Sequence, residues 1–276
     1  MKYVLILFVI ALALAPLSHF YPSKRQRLVA RMREYAAVHG LFVEFRDLPA
    51  RGEPVPGERR AQVIYYIAEN LSARAEEFTR RIVLLSGREE EAAREELDLC
   101  ISRIWHYAAM ADKFVSCVHA TPFRNVTLAM KEPLGVIGIV APEEAGMLGF
   151  VSTVMPAIAM GNRVVVVPSQ HYALLATEFY QVLETSDLPG GVINIVTGDQ
   201  DVLADTLARH LDLEGMWYWG SRAGSKLVEE EAAASMKRTW VNYGLFHDWA
   251  DPEQGQGESF LRKAVEIKNI WIPYGE

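Results

Sequence analysis

Arg163-Val-Val-Val-Val167 is the stretch from which the fold is read. Its apolar residues run on without alternation, as in a strand buried on both faces, and Pro168-Ser-Gln170 closes it before a helical stretch at residues 172–185. The same succession surrounds it. Residues 135–140, 192–196 and 216–219 read as strands, and residues 147–160, 201–210 and 221–235 as helices. Each intervening stretch is long enough for a right-handed crossover, so the pattern predicts an α/β fold: a Rossmann-like parallel sheet with flanking helices.

Upstream, Ile64, Ile67, Leu71, Ala75, Phe78 and Ile82 recur at three- and four-residue steps, and Leu97, Ile101, Ile104, Ala108, Ala111 and Val115 repeat the pattern. This predicts an N-terminal helical pair parted by Ser86-Gly87, with Glu89, Glu90 and Glu91 at the start of the second helix, where the helix dipole favours negative charge. Cys100 and Cys117 lie on or beside that second helix and read as small buried apolar residues rather than nucleophiles. Two cysteines are too few for a disulfide framework and show no metal spacing with the histidines.

Half of the 276 residues are apolar and 23% are charged, which excludes a disordered tail, a collagen-like fibre and a simple coiled coil. The net charge of −7 is unevenly spread, because the first 60 residues hold ten Lys/Arg against five Asp/Glu. The remaining body is acidic. That argues against nucleic-acid binding, which needs a basic surface.

Residues 3–23 carry no charge and are long enough for a single transmembrane helix. Lys24, Arg25, Arg27, Arg31 and Arg33 follow it, and the positive-inside rule then holds the main domain on the cytoplasmic side. Two other readings compete: a signal peptide cleaved after Ala13-Leu-Ala15, and a buried helix of a soluble cytoplasmic chain. Residues 25–39 read as a basic helix and 41–46 as a short strand, while Pro and Gly mark 48–59 as a linker. The expected organisation is thus an anchor at 1–23, a basic juxtamembrane segment and linker at 24–60, and a main domain at 61–276.

Parallel sheets of this kind bind ligands at the carboxyl ends of their strands, near a switch in strand order. Ala141, Pro142, Pro168, Ser169, Gln170, Gly198, Gly220 and Ser221 occupy those ends. Ser221 suits the cap of the next helix, whose amides could face an anion such as a diphosphate; equally, the glycines could serve the turns alone. No dinucleotide fingerprint or P-loop narrows the ligand.

Four motifs in register, Glu132-Pro-Leu-Gly-Val-Ile-Gly-Ile-Val-Ala-Pro142, Ala157-Ile-Ala-Met-Gly-Asn162, Leu188-Pro-Gly-Gly-Val-Ile-Asn-Ile-Val-Thr-Gly198 and Gly220-Ser221, resemble the cofactor-binding half of aldehyde dehydrogenases. With the ending Val265-Glu-Ile-Lys-Asn-Ile-Trp-Ile-Pro-Tyr-Gly-Glu276, residues 61–276 are similar to the second, shortened domain of the family 16 enzymes. The resemblance implies an NAD site at Val140, Ala141, Pro142, Val167, Ser169, Gly198, Gly220 and Ser221. It also implies where chemistry should sit. Glu144 occupies the family's oxyanion Asn position and Asn242 its general-base Glu position, and no cysteine follows Tyr243. Val167 replaces the ribose-binding Lys and Gln170 the acidic residue beside it. The implied protein has no catalytic residue, binds NAD weakly or not at all, and acts in structure or oligomerisation. The alternatives are a subunit of an NAD-dependent aldehyde dehydrogenase whose catalytic domain comes from a partner chain, and a nucleotide-binding module. A homodimer or a catalytically complete aldehyde dehydrogenase chain is the expected partner. Phe260, Leu261, Ala264 and Val265 form a short helical stripe, and residues 268–274 read as an edge strand that docks on its own body or on another chain.

Overall fold

The computed structural model describes residues 57–122 and 125–273. The expected anchor, the basic segment and most of the linker lie outside the described residues. Among the described residues, no helix is long and apolar enough to cross a membrane.

Helix α1 (Gly57–Ala73) begins within the expected linker, because Glu58, Arg59 and Arg60 are straight-chain residues that favour helix. The helix expected to run through Ile82 is two helices. Arg74, at φ −106° and ψ 16°, breaks it, and α2 (Ala75–Ser86) follows at once. The apolar register survives the bend, for Ile64, Ile67, Leu71, Ala75, Phe78 and Ile82 are all buried. Gly87 ends α2 in the left-handed region at φ +67°, where a side chain would be strained, and its amide bonds the Val83 carbonyl at 2.8 Å. Helix α3 (Glu90–Met110) then carries its own buried stripe from Ala93 to Ala108. Two expectations fail beyond it. Val115 lies past the helix and is 65% exposed, and Cys117 is exposed on strand β1 (Cys117–His119) rather than buried; Cys100 is sealed in the core as expected.

The main sheet is five-stranded and wholly parallel, in the order β5-β4-β3-β6-β7. Its strands are β3 (Val136–Val140), β4 (Arg163–Val167), β5 (Ile193–Ile195), β6 (Gly215–Tyr218) and β7 (Arg238–Val241). Between them run α4 (Gly146–Ala159), α5 (Ala173–Glu184), α6 (Gln200–Arg209) and α7 (Arg222–Ala232). The chain steps outward from β3 to β5 and then returns to the other side of β3 as β6. The strand order therefore switches between β3 and β6. Alternate residues of each strand serve opposite faces. Ile137, Ile139, Val164, Val166 and Trp217 join the larger core with α1 to α5, while Val140, Val167, Met216 and Tyr218 pack against α6 and α7. Gly138 sits on that second face, where a Cβ would come within 2.9 Å of the Met216 sulfur.

A second sheet, β1-β2-β8, is antiparallel and was not foreseen apart from its last strand. Strand β2 (Asn125–Pro133) pairs with β8 (Val265–Pro273) along its whole length, from Asn125 opposite Pro273 to Pro133 opposite Val265. The tail strand thus begins at Val265 and docks on its own body. Before it, α8 (Pro252–Gln256) and α9 (Glu258–Lys263) place Phe260 and Leu261 in the core. Asn162 ties these parts together. Its carbonyl oxygen accepts from the Gly135 amide at 3.0 Å, and its amide donates to the carbonyls of Ala157 at 2.9 Å and Ala264 at 2.7 Å.

Candidate functional site

A cleft of about 750 Å³ opens at the carboxyl ends of β3, β4, β6 and β7, over the switch in strand order. Of the residues singled out in the sequence, Glu144, Gln170, Gly220, Ser221 and Asn242 line it. Val140, Ala141, Pro142, Val167 and Ser169 lie beneath, buried in the strand ends. Pro142 packs against Gly149 of α4, and a Cβ there would overlap its ring. Gly198, at the turn into α6, stands beside Leu203 and is not part of the lining.

The polar groups at the strand ends are bonded to one another. Glu143, half-buried in the turn after β3, accepts from the Ser169 hydroxyl at 2.7 Å and from the Gln170 amide at 2.7 Å. Gln200, the first residue of α6, donates to the carbonyls of Ala141 at 3.0 Å and Pro168 at 3.1 Å, so it spans the ends of β3 and β4. The Asn242 side-chain oxygen accepts from the Gly220 amide at 3.0 Å, and its nitrogen donates to the Leu245 carbonyl at 3.3 Å. Ser221 does cap α7, accepting from the Gly224 amide at 3.0 Å. Gly220 and Gly224 make room for the Tyr218 phenol, which a Cβ on either would strike. The roles of Glu143 and Gln200 were missed in the sequence. A polar residue opening a helix two positions after the turn glycine Gly198 was the available signal for Gln200.

Helix α4 presents no open end to the cleft. Glu96 of α3 accepts from the amides of Met147 at 3.0 Å and Leu148 at 3.2 Å, and Arg88 pairs with its other oxygen. Among the described residues, the lining includes the carboxylates of Glu143, Glu144 and Asp201 but neither lysine nor arginine.

Behind Trp219 lies an aromatic cluster with Trp217, Trp240, Trp249, His247 and Phe260. Burial lowers the His247 pKa, although the Gln254 carbonyl and the nearby Glu144 charge oppose it. Arg103 of α3 bonds the Ser152 hydroxyl and the Trp249 carbonyl; its burial lowers the guanidinium pKa. Neither cysteine lines the cleft: Cys100 is wholly buried in α3, where burial raises its thiol pKa well above the ordinary 9.0, and Cys117 belongs to the antiparallel sheet.

Residues 50–245 match the family model described as the aldehyde dehydrogenase family. The chain is 30% identical over 207 residues to the NADP/NAD-dependent aldehyde dehydrogenase PuuC of Escherichia coli (strain K12), covering 72% of this chain and 42% of that protein. An aldehyde dehydrogenase of Agaricus bisporus is 29% identical over 205 residues, covering 72% and 41%. Among solved structures, an NAD-dependent aldehyde dehydrogenase from Sinorhizobium meliloti superposes with a TM-score of 0.66 at 26% identity, over 70% of this chain and 39% of that one. The chain spans about two fifths of the length of the relatives it matches.

Proposed function

The chain belongs to the aldehyde dehydrogenase family, and from that premise we propose that it is a member without catalysis of its own, keeping the fold and the strand-end cleft and serving in structure and assembly. One observation carries this reading: the chain's two thiols both lie away from the cleft. Aldehyde oxidation by the family's route needs a thiolate to add to the carbonyl, a donor to hold the oxyanion and a base to activate water. Glu144 sets a carboxylate where the resemblance implies that donor, and like charge repels an oxyanion. Asn242 takes up no proton at neutral pH, and its amide is committed to the backbone of Gly220 and Leu245.

A dinucleotide fits this donor set poorly. The Ser169 hydroxyl, the Gln170 amide and the Gln200 side chain are engaged within the protein, and the lining carboxylates oppose a diphosphate. NAD binding is weakened or lost in this reading. With the cofactor gone, assembly remains, and a homodimer is its simplest form.

The second reading is of a chain that works beside a complete member of the family. A catalytically complete aldehyde dehydrogenase chain would supply the active site, and this chain its scaffold. The finer placement with the second domain of family 16 rests on the ending at residues 265–276. The uncharged run at 3–23 supports a membrane anchor with the main domain in the cytoplasm; a wholly cytoplasmic chain is the alternative.

Aldehyde-dependent NADH formation by the purified full chain, in detergent, tests the proposal. No rate above the blank is expected for aliphatic or aromatic aldehydes. Turnover by the chain alone overturns the first reading, and a rate gained only on mixing with a complete family member supports the second.

A further inference from the structure

The turn after β3 reaches across to the end of β4 through one side chain. Glu143 holds the Ser169 hydroxyl with one carboxylate oxygen and the Gln170 amide with the other, each at 2.7 Å. Ser169 is 2% exposed, so its hydroxyl has few other partners to turn to. A hydroxyl and an amide converging on one pair of oxygens form the donor arrangement that a phosphate or carboxylate would use.

We infer that Glu143 is a built-in occupant of the cleft, a carboxylate of the chain itself seated where an anionic ligand would bind. The inference rests on reading the cleft as a nucleotide cleft that has fallen silent, and it names the group that silences it. An incoming anion meets two obstacles at Glu143: the donors are taken, and the carboxylate that takes them has the wrong charge. Glu144 and Asp201 line the same cleft and add to that charge, with no lysine or arginine among the described lining residues to offset it. Removing the Glu143 side chain frees both donors and removes one negative charge together. The Glu143→Gln change removes the charge and keeps an acceptor for only one of the two donors, so its effect is intermediate.

Trp219 lies in the lining, so its fluorescence reports on occupancy. Titrating the full chain with pyrophosphate, ADP and NAD, by calorimetry and tryptophan emission, tests the inference. The parent chain is expected to give no saturable binding up to about 1 mM, and Glu143→Ala at least about a tenfold tighter Kd for pyrophosphate and ADP. Glu143→Gln falls between them. Thermal melts establish that each variant is folded, and if the alanine variant is not, the glutamine variant decides. Micromolar binding of NAD by the parent chain, or folded variants that bind no better than the parent, overturns the inference. NAD binding without turnover would leave the proposal of a silent enzyme standing. Turnover with a closed, unimproved cleft would remove both.

Discussion

The side-chain oxygen of Asn242 lies 3.0 Å from the backbone amide of Gly220, and this bond joins the end of β7 to the turn that starts α7. The same oxygen accepts from the Gly244 amide at 3.3 Å, and the nitrogen of the carboxamide donates to the Leu245 carbonyl. A glutamate could accept these bonds but has no hydrogen to donate, and its charge would face the Leu245 carbonyl. Asn242→Glu is therefore expected to give no aldehyde-dependent NADH formation. Asn242→Ala should cost about 0.5–1.5 kcal/mol in urea unfolding, the net worth of hydrogen bonds at a half-buried site. An Asn242→Glu chain that oxidises aldehydes would show the residue to be the one missing part.

Gly255 of α8 carries the second prediction. A Cβ at this position would overlap both the Trp249 carbonyl and the Arg103 guanidinium, two groups already bonded to each other in the core. Gly255→Ala should destabilise by about 1–3 kcal/mol, the usual cost of overpacking a filled site. Denaturant midpoints of variant and parent measure this, and an unchanged midpoint would mean that the short helix gives way freely.

The Asn162 side chain makes three hydrogen bonds, to Gly135, to Ala157 in the helix just before it and to Ala264, 102 residues on. Asn162→Ala takes the side-chain partner from the Gly135 amide and from the Ala264 carbonyl, while the Ala157 carbonyl keeps the Asn162 backbone amide; each lost partner costs about 1–3 kcal/mol, so the loss should exceed that of Asn242→Ala. Comparing the two unfolding curves checks the order.

Alkaline pH supplies the fourth prediction. Burial pushes the Cys100 thiol well above its ordinary 9.0 and the Tyr107 phenol above its ordinary 10.0. Both groups stay protonated in the folded chain and ionise in the unfolded one. Their contribution is complete below the ordinary values, and stability falls as pH rises through 9 and 10. Urea midpoints measured from pH 8 upward follow this decline. At pH 8 a disulfide reagent should titrate Cys117 alone, and both thiols only after denaturation.

Much of the parallel sheet was legible because its strands are apolar runs with little alternation. Residues 163–167 were read to their ends, and the neighbouring strands to within a residue or two. β7, Arg238-Thr-Trp-Val241, begins with two polar residues and escaped notice, as did β2, whose partner lies at the far end of the chain. Arg74 breaks a helix where neither glycine nor proline gives warning. Cys117 was misplaced because the helical period was carried past the residue where α3 ends. The place of the cleft followed from strand ends alone. What fills it did not, since Glu143 meets Ser169 and Gln170 across 26 and 27 residues and only the packing of two turns brings them together.

The central claim is that no sulfur of this chain serves the cleft. Replacing Cys100 and Cys117 together by alanine tests it most directly, with NADH formation followed at high protein concentration in the parent and in the thiol-free chain. Identical traces, both at the level of the blank, are the predicted result. An aldehyde-dependent rate in the parent that disappears with the two thiols would contradict it.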